Sequence, residues 1–294
     1  MGKRILIVGG VAGGASVAAR ARRLDEQAEI IMFEKGPHVS FSNCALPYYL
    51  SRTVQVSSAL VLMSPDQFWK QYRIEARVNC EVTRIIRKDK TIVVRNLETN
   101  EEYKESYDKL VLSPGAAPIR PKSMEGAEGP NVFTIRNVVD IRKLDDYLTA
   151  NDVNNVAVVG GGFIGVEVTE NLILSGKQVS LVEALDQILT PFDYDMAQIL
   201  HKEMLDHGVN LILGDGVRKI REDAIELQSG REVTAQAVVL AIGVRPEIGL
   251  ARDAGLEIGS AGGIRVDHNY LTSDPDIYAV GDAIEVYNQL TRQP

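Results

Sequence analysis

The sequence predicts an α/β fold in which one strand–turn–helix–strand design occurs twice. Each copy opens on a short apolar strand, continues through a glycine-rich turn and enters a helical stretch. These segments are Arg4 to Val8, GGVAGG (9–14) and a helix to about Leu24, then Asn155 to Val159, GGGFIG (160–165) and a helix to about Ser175. A second apolar strand, 29–33 or 178–182, then ends on an acid, Glu34 or Glu183, which lies 20 or 18 residues beyond the last glycine.

The repeat extends beyond these units. A stretch with alternating polarity and a central turn follows each of them, at 92–107 and 224–234. Each copy then closes on a buried-type strand and a glycine turn, at 110–115 and 238–243. The second copy therefore repeats the whole first copy, which predicts two Rossmann-like domains of three-layer ββα architecture.

Glycines at a strand-to-helix turn allow backbone N–H groups to approach a pyrophosphate, where the helix N-terminus adds partial positive charge. The acid after the second strand is placed to accept hydrogen bonds from the adenosine ribose. Glycine pairs also make tight βα turns without any ligand. Two copies with matching acids favour dinucleotide binding over that simpler explanation.

The first glycine turn carries Val11 where the dinucleotide pattern has its middle glycine. A second segment restores the prediction, because residues 272–282 end in Gly281-Asp282, which resembles the second FAD signature of flavoproteins with two dinucleotides. The order of these pieces predicts a discontinuous FAD-binding domain, about 1–118 and 246–294. A nicotinamide-binding domain, 119–245, is inserted in it, with the prolines and glycines at 118–130 and 243–246 as crossings.

Composition limits the remaining functions. A chain of 294 residues with 45% hydrophobic content is long enough for two domains with cores. The net charge of −8 argues against nucleic acid and anionic membranes as partners. The longest apolar run, 237–244, is too short to span a bilayer, and we expect a cytoplasmic protein. Cys44 and Cys80 have no export signal before them, so a structural disulfide between them is not expected.

The segment SFSNCALPYY (40–49) resembles the single-cysteine branch of the pyridine nucleotide–disulfide oxidoreductases. It is most similar to coenzyme A-disulfide reductases, especially the rhodanese-fused forms described as CoA-disulfide, persulfide or polysulfide reductases. The resemblance covers the whole chain and implies that Cys44 is the redox centre, cycling through a mixed disulfide, persulfide or sulfenic acid. If residues 45–50 begin a helix, its dipole favours the Cys44 thiolate. Without the family motif, a small buried cysteine explains Cys44 equally well; Cys80 is expected to be structural.

The resemblance also implies two sets of contacts. The cofactor contacts are Gly9, Gly10, Val11, Ala12, Gly13, Gly14, Glu34, Lys35, Asn43, Val82, Ser113, Pro114, Gly115, Arg136, Gly160, Gly162, Phe163, Ile164, Gly165, Glu167, Glu183, Ile242, Gly243, Gly281 and Asp282. The substrate contacts are Ser16, Arg20, Arg23, Ser40 and Asn43. Arg20 and Arg23 could clamp phosphates, or they form a solvated helix face, since Asp25 and Glu26 follow. A basic residue that contacts CoA in some members is replaced here by Tyr72.

The implied reaction passes electrons from NADH through FAD to a sulfur adduct on Cys44, with coenzyme A as substrate moiety. NADH is preferred over NADPH, because Glu183 would repel a 2′-phosphate and no arginine follows it. Phe163 is expected over the flavin or in the core, and Glu167 near the nicotinamide. None of the four histidines has catalytic or metal-ligand spacing, and no metal site is expected.

Two alternatives stay open at this point. An NADH oxidase or peroxidase is the first, although Ala12 replaces the histidine that those enzymes carry in the glycine turn. The second is a cofactor-binding fragment without useful turnover, because relatives continue beyond Pro294 with a helix over the flavin and a dimerisation domain. The resemblance implies a homodimer for the full-length protein.

Overall fold

The computed structural model describes residues 2–291, which divide into two compact units. The first unit holds the described residues through Ser42, Val61–Ala117, and those from Pro246 onward. The second unit holds Asn43–Leu60 and Pro118–Arg245. The predicted FAD-binding domain, 1–118 and 246–294, includes residues 43–60, which group here with the second unit. The assignment of the two domains to FAD and to the nicotinamide cofactor stays a prediction.

Twenty strands are present among the described residues. In chain order they are β1 (Arg4–Val8), β2 (Glu29–Phe33), β3 (Ile74–Arg77), β4 (Cys80–Ile86), β5 (Thr91–Asn96), β6 (Glu102–Ser106), β7 (Lys109–Leu112), β8 (Ala116–Pro118), β9 (Val132–Phe133), β10 (Asn155–Val159), β11 (Gln178–Val182), β12 (Asn210–Ile212), β13 (Val217–Ile220), β14 (Ala224–Leu227), β15 (Glu232–Thr234), β16 (Ala237–Leu240), β17 (Val244–Pro246), β18 (Ile264–Arg265), β19 (Ile277–Ala279) and β20 (Ile284–Glu285).

The α-helices are α1 (Ala12–Leu24), α2 (Pro65–Tyr72), α3 (Val138–Ala150), α4 (Phe163–Leu174), α5 (Tyr194–Asp206) and α6 (Gly249–Asp253). Three short 3₁₀ helices span Pro47–Tyr49, Ser57–Leu60 and Arg87–Asp89. Along the described part of the chain, no helix combines the length and apolar character needed to cross a membrane.

The first unit is built on a five-stranded parallel sheet in the order β3-β2-β1-β7-β19. Alternate side chains of β1 point to opposite faces, which creates two cores. Leu6 and Val8 pack in a cluster with residues of the antiparallel sheet β4-β5-β6, such as Val94. Ile7 packs in a separate cluster with Ala18 of α1. Helices, parallel sheet and antiparallel sheet therefore form three layers.

The second unit repeats this topology. Its parallel sheet has the order β12-β11-β10-β16-β9, and its antiparallel sheet is β13-β14-β15. Ala157 and Val159 of β10 pack with Ile225 and Leu227 of the antiparallel sheet. Four strands of the two parallel sheets match position by position. The fifth strand, at the edge, comes last in chain order in the first unit (β19) and first in the second (β9). The predicted α/β fold with a repeated three-layer design is confirmed.

Candidate functional site

Three strand ends of the first unit converge at Ser113. Gly9 follows β1 with a left-handed φ of 92°, and a Cβ there would lie 2.0 Å from the Ser113 carbonyl oxygen. A Cβ on Gly13 would lie 2.5 Å from Ser113 Oγ, and one on Gly281 would lie 3.6 Å from the same atom. Side chains at Gly9 and Gly13 would collide with Ser113, so glycine at these positions lets the ends of β1 and β7 and helix α1 come close together.

The carboxylate of Glu34 is fixed by two backbone donors. The Gly10 N–H donates to one oxygen at 2.9 Å, and the Gly36 N–H donates to the other at 2.8 Å. The remaining lone pairs are available to hydroxyl donors. Lys35 beside it forms an ion pair with Glu81 at 2.8 Å. Val82 is buried in the core, so a cofactor contact there would have to use its backbone.

The second unit holds its acid in the same way. The Gly161 N–H donates to one oxygen of Glu183 at 2.6 Å, and the Leu185 N–H donates to the other at 2.9 Å. Gly160 has a φ of 108°, and a Cβ there would lie 2.5 Å from the Ala241 carbonyl oxygen. The two glycine turns therefore share their fixed carboxylates and their contact with the neighbouring strand end.

The loop after each acid closes on the second glycine, a similarity that no sequence motif shows. The Ser40 N–H donates to the Gly10 carbonyl and the Leu189 N–H donates to the Gly161 carbonyl, both at 2.8 Å. Ser40 and Leu189 each adopt a left-handed φ, of 49° and 47°. Such a conformation is unusual outside glycine and is retained only where surrounding contacts hold it.

The N-termini of α1 and α4 have no side-chain cap among the described residues, whereas Ser64 and Asn137 cap α2 and α3. The first N–H groups of α1 and α4 are therefore free to bind an anion. A Cβ on Gly162, the N-cap of α4, would meet no atom within 4 Å, so this backbone is open. Uncapped helices beside fixed carboxylates fit the pyrophosphate and ribose of a dinucleotide.

The other predicted cofactor contacts of the second unit lie in α4, after β16 and after β9. Phe163 is 57% exposed and its ring meets Phe192 edge-on, so it is not a core residue. Burial, with a smaller contribution from Glu170, raises the pKa of Glu167 above its ordinary value. Further positions follow the strand ends or begin the helix: Gly165 and Ile164 in α4, Ile242 and Gly243 after β16, and Arg136 shortly after β9.

A cleft of about 310 Å³ opens in the first unit beside α1. It brings together three of the predicted substrate contacts, Ser16, Arg23 and Ser40, with Phe68 and Tyr72 of α2 on its wall. Arg20 is exposed and does not line the cleft. The Arg22 side chain, which sequence reasoning passed over, donates to the Tyr72 and Arg73 carbonyls and so positions the end of α2. One predicted arginine, rather than two, faces this space.

Cys44 is an exposed thiol and Cys80 a buried one. Asn43, predicted to contact both cofactor and substrate, is its exposed neighbour within the second unit. The condition placed on residues 45–50 is not met, since only Pro47–Tyr49 is helical and its hydrogen bonds are of the 3₁₀ type. Cys44 precedes this single turn by three residues, so the helix-dipole argument for its thiolate falls away. Its exposure nevertheless excludes a buried structural role.

One histidine, His201, has structural surroundings. Nε2 of the buried His201 accepts the Ile188 N–H at 3.2 Å, and burial lowers the pKa of this imidazole. Within residues 2–291 no group of three His, Cys, Asp or Glu side chains is arranged to hold a metal ion.

Comparison with known proteins places these features in context. The sequence model described as pyridine nucleotide-disulphide oxidoreductase matches residues 3–293. Over 279 residues the chain is 35% identical to a coenzyme A disulfide reductase of Staphylococcus aureus strain JH9, covering 95% of this chain and 63% of that protein. The chain therefore spans less than two thirds of the curated relatives that it matches.

Solved structures of related proteins share this fold. Reduced Bacillus anthracis CoADR-RHD superposes with a TM-score of 0.97 at 45% identity, over 100% of this chain and 53% of that one. An NAD-dependent persulfide reductase from A. fulgidus gives a TM-score of 0.95 at 32% identity, over 99% and 55%. A water-forming NADH oxidase from Lactobacillus brevis, bound to NADH, gives 0.90 at 28% identity, over 99% and 64%.

Proposed function

Because the chain belongs to the pyridine nucleotide-disulphide oxidoreductase family, we propose that it is the electron-transferring part of a flavoenzyme that reduces sulfur substrates with NADH. In this proposal the first unit binds FAD and the second binds the nicotinamide cofactor. The substrate is a CoA disulfide, a CoA persulfide or a polysulfide, and Cys44 is the thiol that accepts it. The observation that carries the proposal is the pair of glycine turns with fixed carboxylates in a chain with one exposed cysteine.

The assignment of cofactors rests on the differences between the two units. The first unit adds the Gly281-Asp282 turn to its glycine loop, which suits the longer isoalloxazine-bearing dinucleotide. The second unit lacks such a segment among its described residues and has an open helix N-terminus at Gly162. Its Glu183 carries the charge that disfavours a 2′-phosphate, so NADH is the proposed donor.

Bound FAD would supply the two-electron relay between NADH and sulfur. The chain's own contribution is positional and electrostatic. The free N–H groups of α1 and α4 would hold the two pyrophosphates, while Glu34 and Glu183 orient the riboses. The Cys44 thiolate would displace one CoA thiol from CoA disulfide to give a mixed disulfide, whose two-electron reduction restores the thiolate and releases the second CoA thiol.

The cleft beside α1 is the proposed site for the CoA portion of the substrate. Arg23 supplies a cation for a phosphate, Ser16 and Ser40 supply hydroxyl groups, and the Phe68 and Tyr72 rings supply an apolar wall. Tyr72 contributes no charge where some relatives hold a basic residue, so Arg23 carries most of the phosphate recognition. Dimerisation and a cytoplasmic location remain predictions for the whole protein.

The experiment is anaerobic reduction of the flavin-loaded protein by NADH, followed by mixing with separate acceptors. We expect FAD as the released flavin, bleaching by about one equivalent of NADH, and rapid reoxidation by CoA disulfide or a CoA persulfide. Fast reoxidation by oxygen with none by the sulfur acceptors would contradict the proposal and favour an oxidase. Release of FMN would contradict the reading of Glu34.

A further inference from the structure

The segment that bears Cys44, Asn43–Leu60, groups with the second unit, although its sequence neighbours on both sides, through Ser42 and from Val61, belong to the first. This cysteine segment buries Leu46, Leu50 and Leu60. Two polar contacts, called here the anchors, join Ser51 and Arg52 of this segment to Asn171 and Asp145 of the second unit.

The first anchor satisfies a buried amide. Asn171 of α4 is fully buried, and its Nδ2 donates to the Glu167 carbonyl at 2.8 Å. Its Oδ1 accepts the Ser51 hydroxyl at 2.6 Å. The same hydroxyl lies 3.2 Å from the Tyr48 carbonyl, but it has one hydrogen to donate, and the shorter contact is the better bond. Without Ser51 the buried amide oxygen would lose this bond, which makes the anchor specific.

The second anchor is a bidentate ion pair. Arg52 donates from both terminal nitrogens to the two oxygens of Asp145 in α3, at 3.0 and 2.9 Å. Arg52 also has a left-handed φ of 63°, and its guanidinium lies 5.2 Å from the centre of the Tyr49 ring. A left-handed φ is uncommon outside glycine, and the Arg52 side chain that leaves this turn ends in the ion pair with Asp145.

Backbone hydrogen bonds connect the anchors to the thiol. The Val54 N–H donates to Tyr48, the Leu50 N–H to Pro47, and the Leu46 N–H to Asn43, next to Cys44. These bonds lie between the anchors and Cys44, so they are a path by which a shift at Ser51 or Arg52 would reach the cysteine.

We propose that Asn171 and Asp145 are positioning residues for Cys44, acting through Ser51 and Arg52. Helix α4 carries Gly162 at its N-cap and Asn171 near its end. One helix thus sets both the nucleotide-binding turn and the cysteine segment. This inference rests on the proposed role of Cys44 as the sulfur relay.

The test changes Ser51 and Asp145 rather than Asn171, because Asn171 is fully buried and its variants could fail to fold. Ser51→Ala and Asp145→Ala are made singly and together. Thr53→Ala is the matched control, since the Thr53 hydroxyl meets the Ser51 hydroxyl on the cysteine segment rather than Asn171 or Asp145. Four quantities are measured in the flavin-loaded protein. They are the rate of flavin reduction by NADH, the rate of reoxidation by CoA disulfide, the rate of Cys44 alkylation by iodoacetamide read by mass spectrometry, and hydrogen exchange of residues 43–60.

The double variant should reoxidise at least about tenfold more slowly, because a misplaced nucleophile loses near-attack geometry. Its Cys44 alkylation and hydrogen exchange should each quicken by about fivefold or more as the segment opens locally. Flavin reduction by NADH and all values for Thr53→Ala should stay within about twofold of the parent. The charge-reversed pair Arg52→Asp with Asp145→Arg should recover most of the loss caused by Asp145→Ala.

If Cys44 alkylation and hydrogen exchange of residues 43–60 are unchanged in the double variant, the inference is overturned, whatever the rate of reoxidation by CoA disulfide. If the parent protein reduces no sulfur acceptor, the proposed function fails, yet alkylation and exchange still decide whether the anchors hold the segment. Equal slowing of flavin reduction and reoxidation would also contradict positioning, since it indicates a general structural defect.

Discussion

The carboxylate of Glu183 should determine which nicotinamide nucleotide the second unit accepts. Its two oxygens are held by the Gly161 and Leu185 N–H groups, so the charge cannot swing away from the ribose position. Glu183→Gln keeps the side-chain shape and one acceptor oxygen but removes the charge. We expect the preference for NADH over NADPH to fall in this variant.

The size of the effect follows from Coulomb's law. A phosphate monoester carries a charge of about −1.5 to −2 near neutral pH. At about 4 Å, two unit charges repel by about 1 kcal/mol at the dielectric of water and about 4 kcal/mol at an effective dielectric of 20. The half-buried Glu183 lies between these limits, so its charge should disfavour NADPH by at least about 1.5 kcal/mol, or roughly tenfold. Loss of charge-assisted bonds to the ribose hydroxyls should weaken NADH binding as well.

The assay is kcat/KM for flavin reduction with each nucleotide, in the parent and in Glu183→Gln. The internal repeat offers a matched control, because Glu34→Gln removes the equivalent charge from the first unit. That control should loosen the flavin without changing nucleotide preference. Equal kcat/KM for NADH and NADPH in the parent, or an unchanged ratio in Glu183→Gln, would refute the reasoning.

Two further predictions concern the glycine turn and the pH dependence of stability. Gly160→Ala should lower the free energy of unfolding by about 2 kcal/mol or more, because the residue has a left-handed φ and its Cβ would meet Ala241. Gly162→Ala should be near neutral for stability but should weaken NADH binding. Calorimetry with nucleotide titration compares the two variants. Burial by itself would raise the pKa of Glu105. The hydrogen bonds and charges of Arg77 and Arg4 together lower this pKa by more than burial raises it, so the net pKa lies below the ordinary 4.5. The stabilisation from the ionised Glu105 is present above the ordinary pKa and is lost as the pH falls through the lower pKa of the folded state. Glu105→Gln should therefore cost about 2 kcal/mol near neutral pH and flatten the acid limb of a denaturant-midpoint profile, and an unchanged limb would contradict this.

Much of the nucleotide-binding architecture follows from local sequence. Strand, glycine turn, helix and acid-ended strand are recorded in neighbouring residues, and so their bounds and order were predicted closely. The closing loops after Glu34 and Glu183 were not predicted. Val39 and Ile188 face the second glycines there, and a single apolar residue in a loop carries no periodic pattern that would reveal this contact.

The setting of Cys44 was predicted less well, for a tertiary reason. A helix beginning at 45–50 was a condition of the thiolate argument, but the chain makes one 3₁₀ turn there and has a left-handed φ at Arg52. Ser51 and Arg52 bond to Asn171 and Asp145, which lie 120 and 93 positions away in sequence. Neither partner belongs to a motif, so the sequence alone did not reveal these contacts. Similarly, Arg23 lines the cleft and Arg20 does not, and this difference is determined by packing.

The central claim, that Cys44 relays electrons to sulfur, is tested most directly by separating the two half-reactions in Cys44→Ser. Cys80→Ser is the matched control, since Cys80 is buried in the core of the first unit. Stopped-flow absorbance should show flavin reduction by NADH within about twofold of the parent in both variants. Reoxidation by CoA disulfide or a CoA persulfide should be abolished in Cys44→Ser and retained in Cys80→Ser. Near-normal reoxidation by these acceptors in Cys44→Ser would contradict the account.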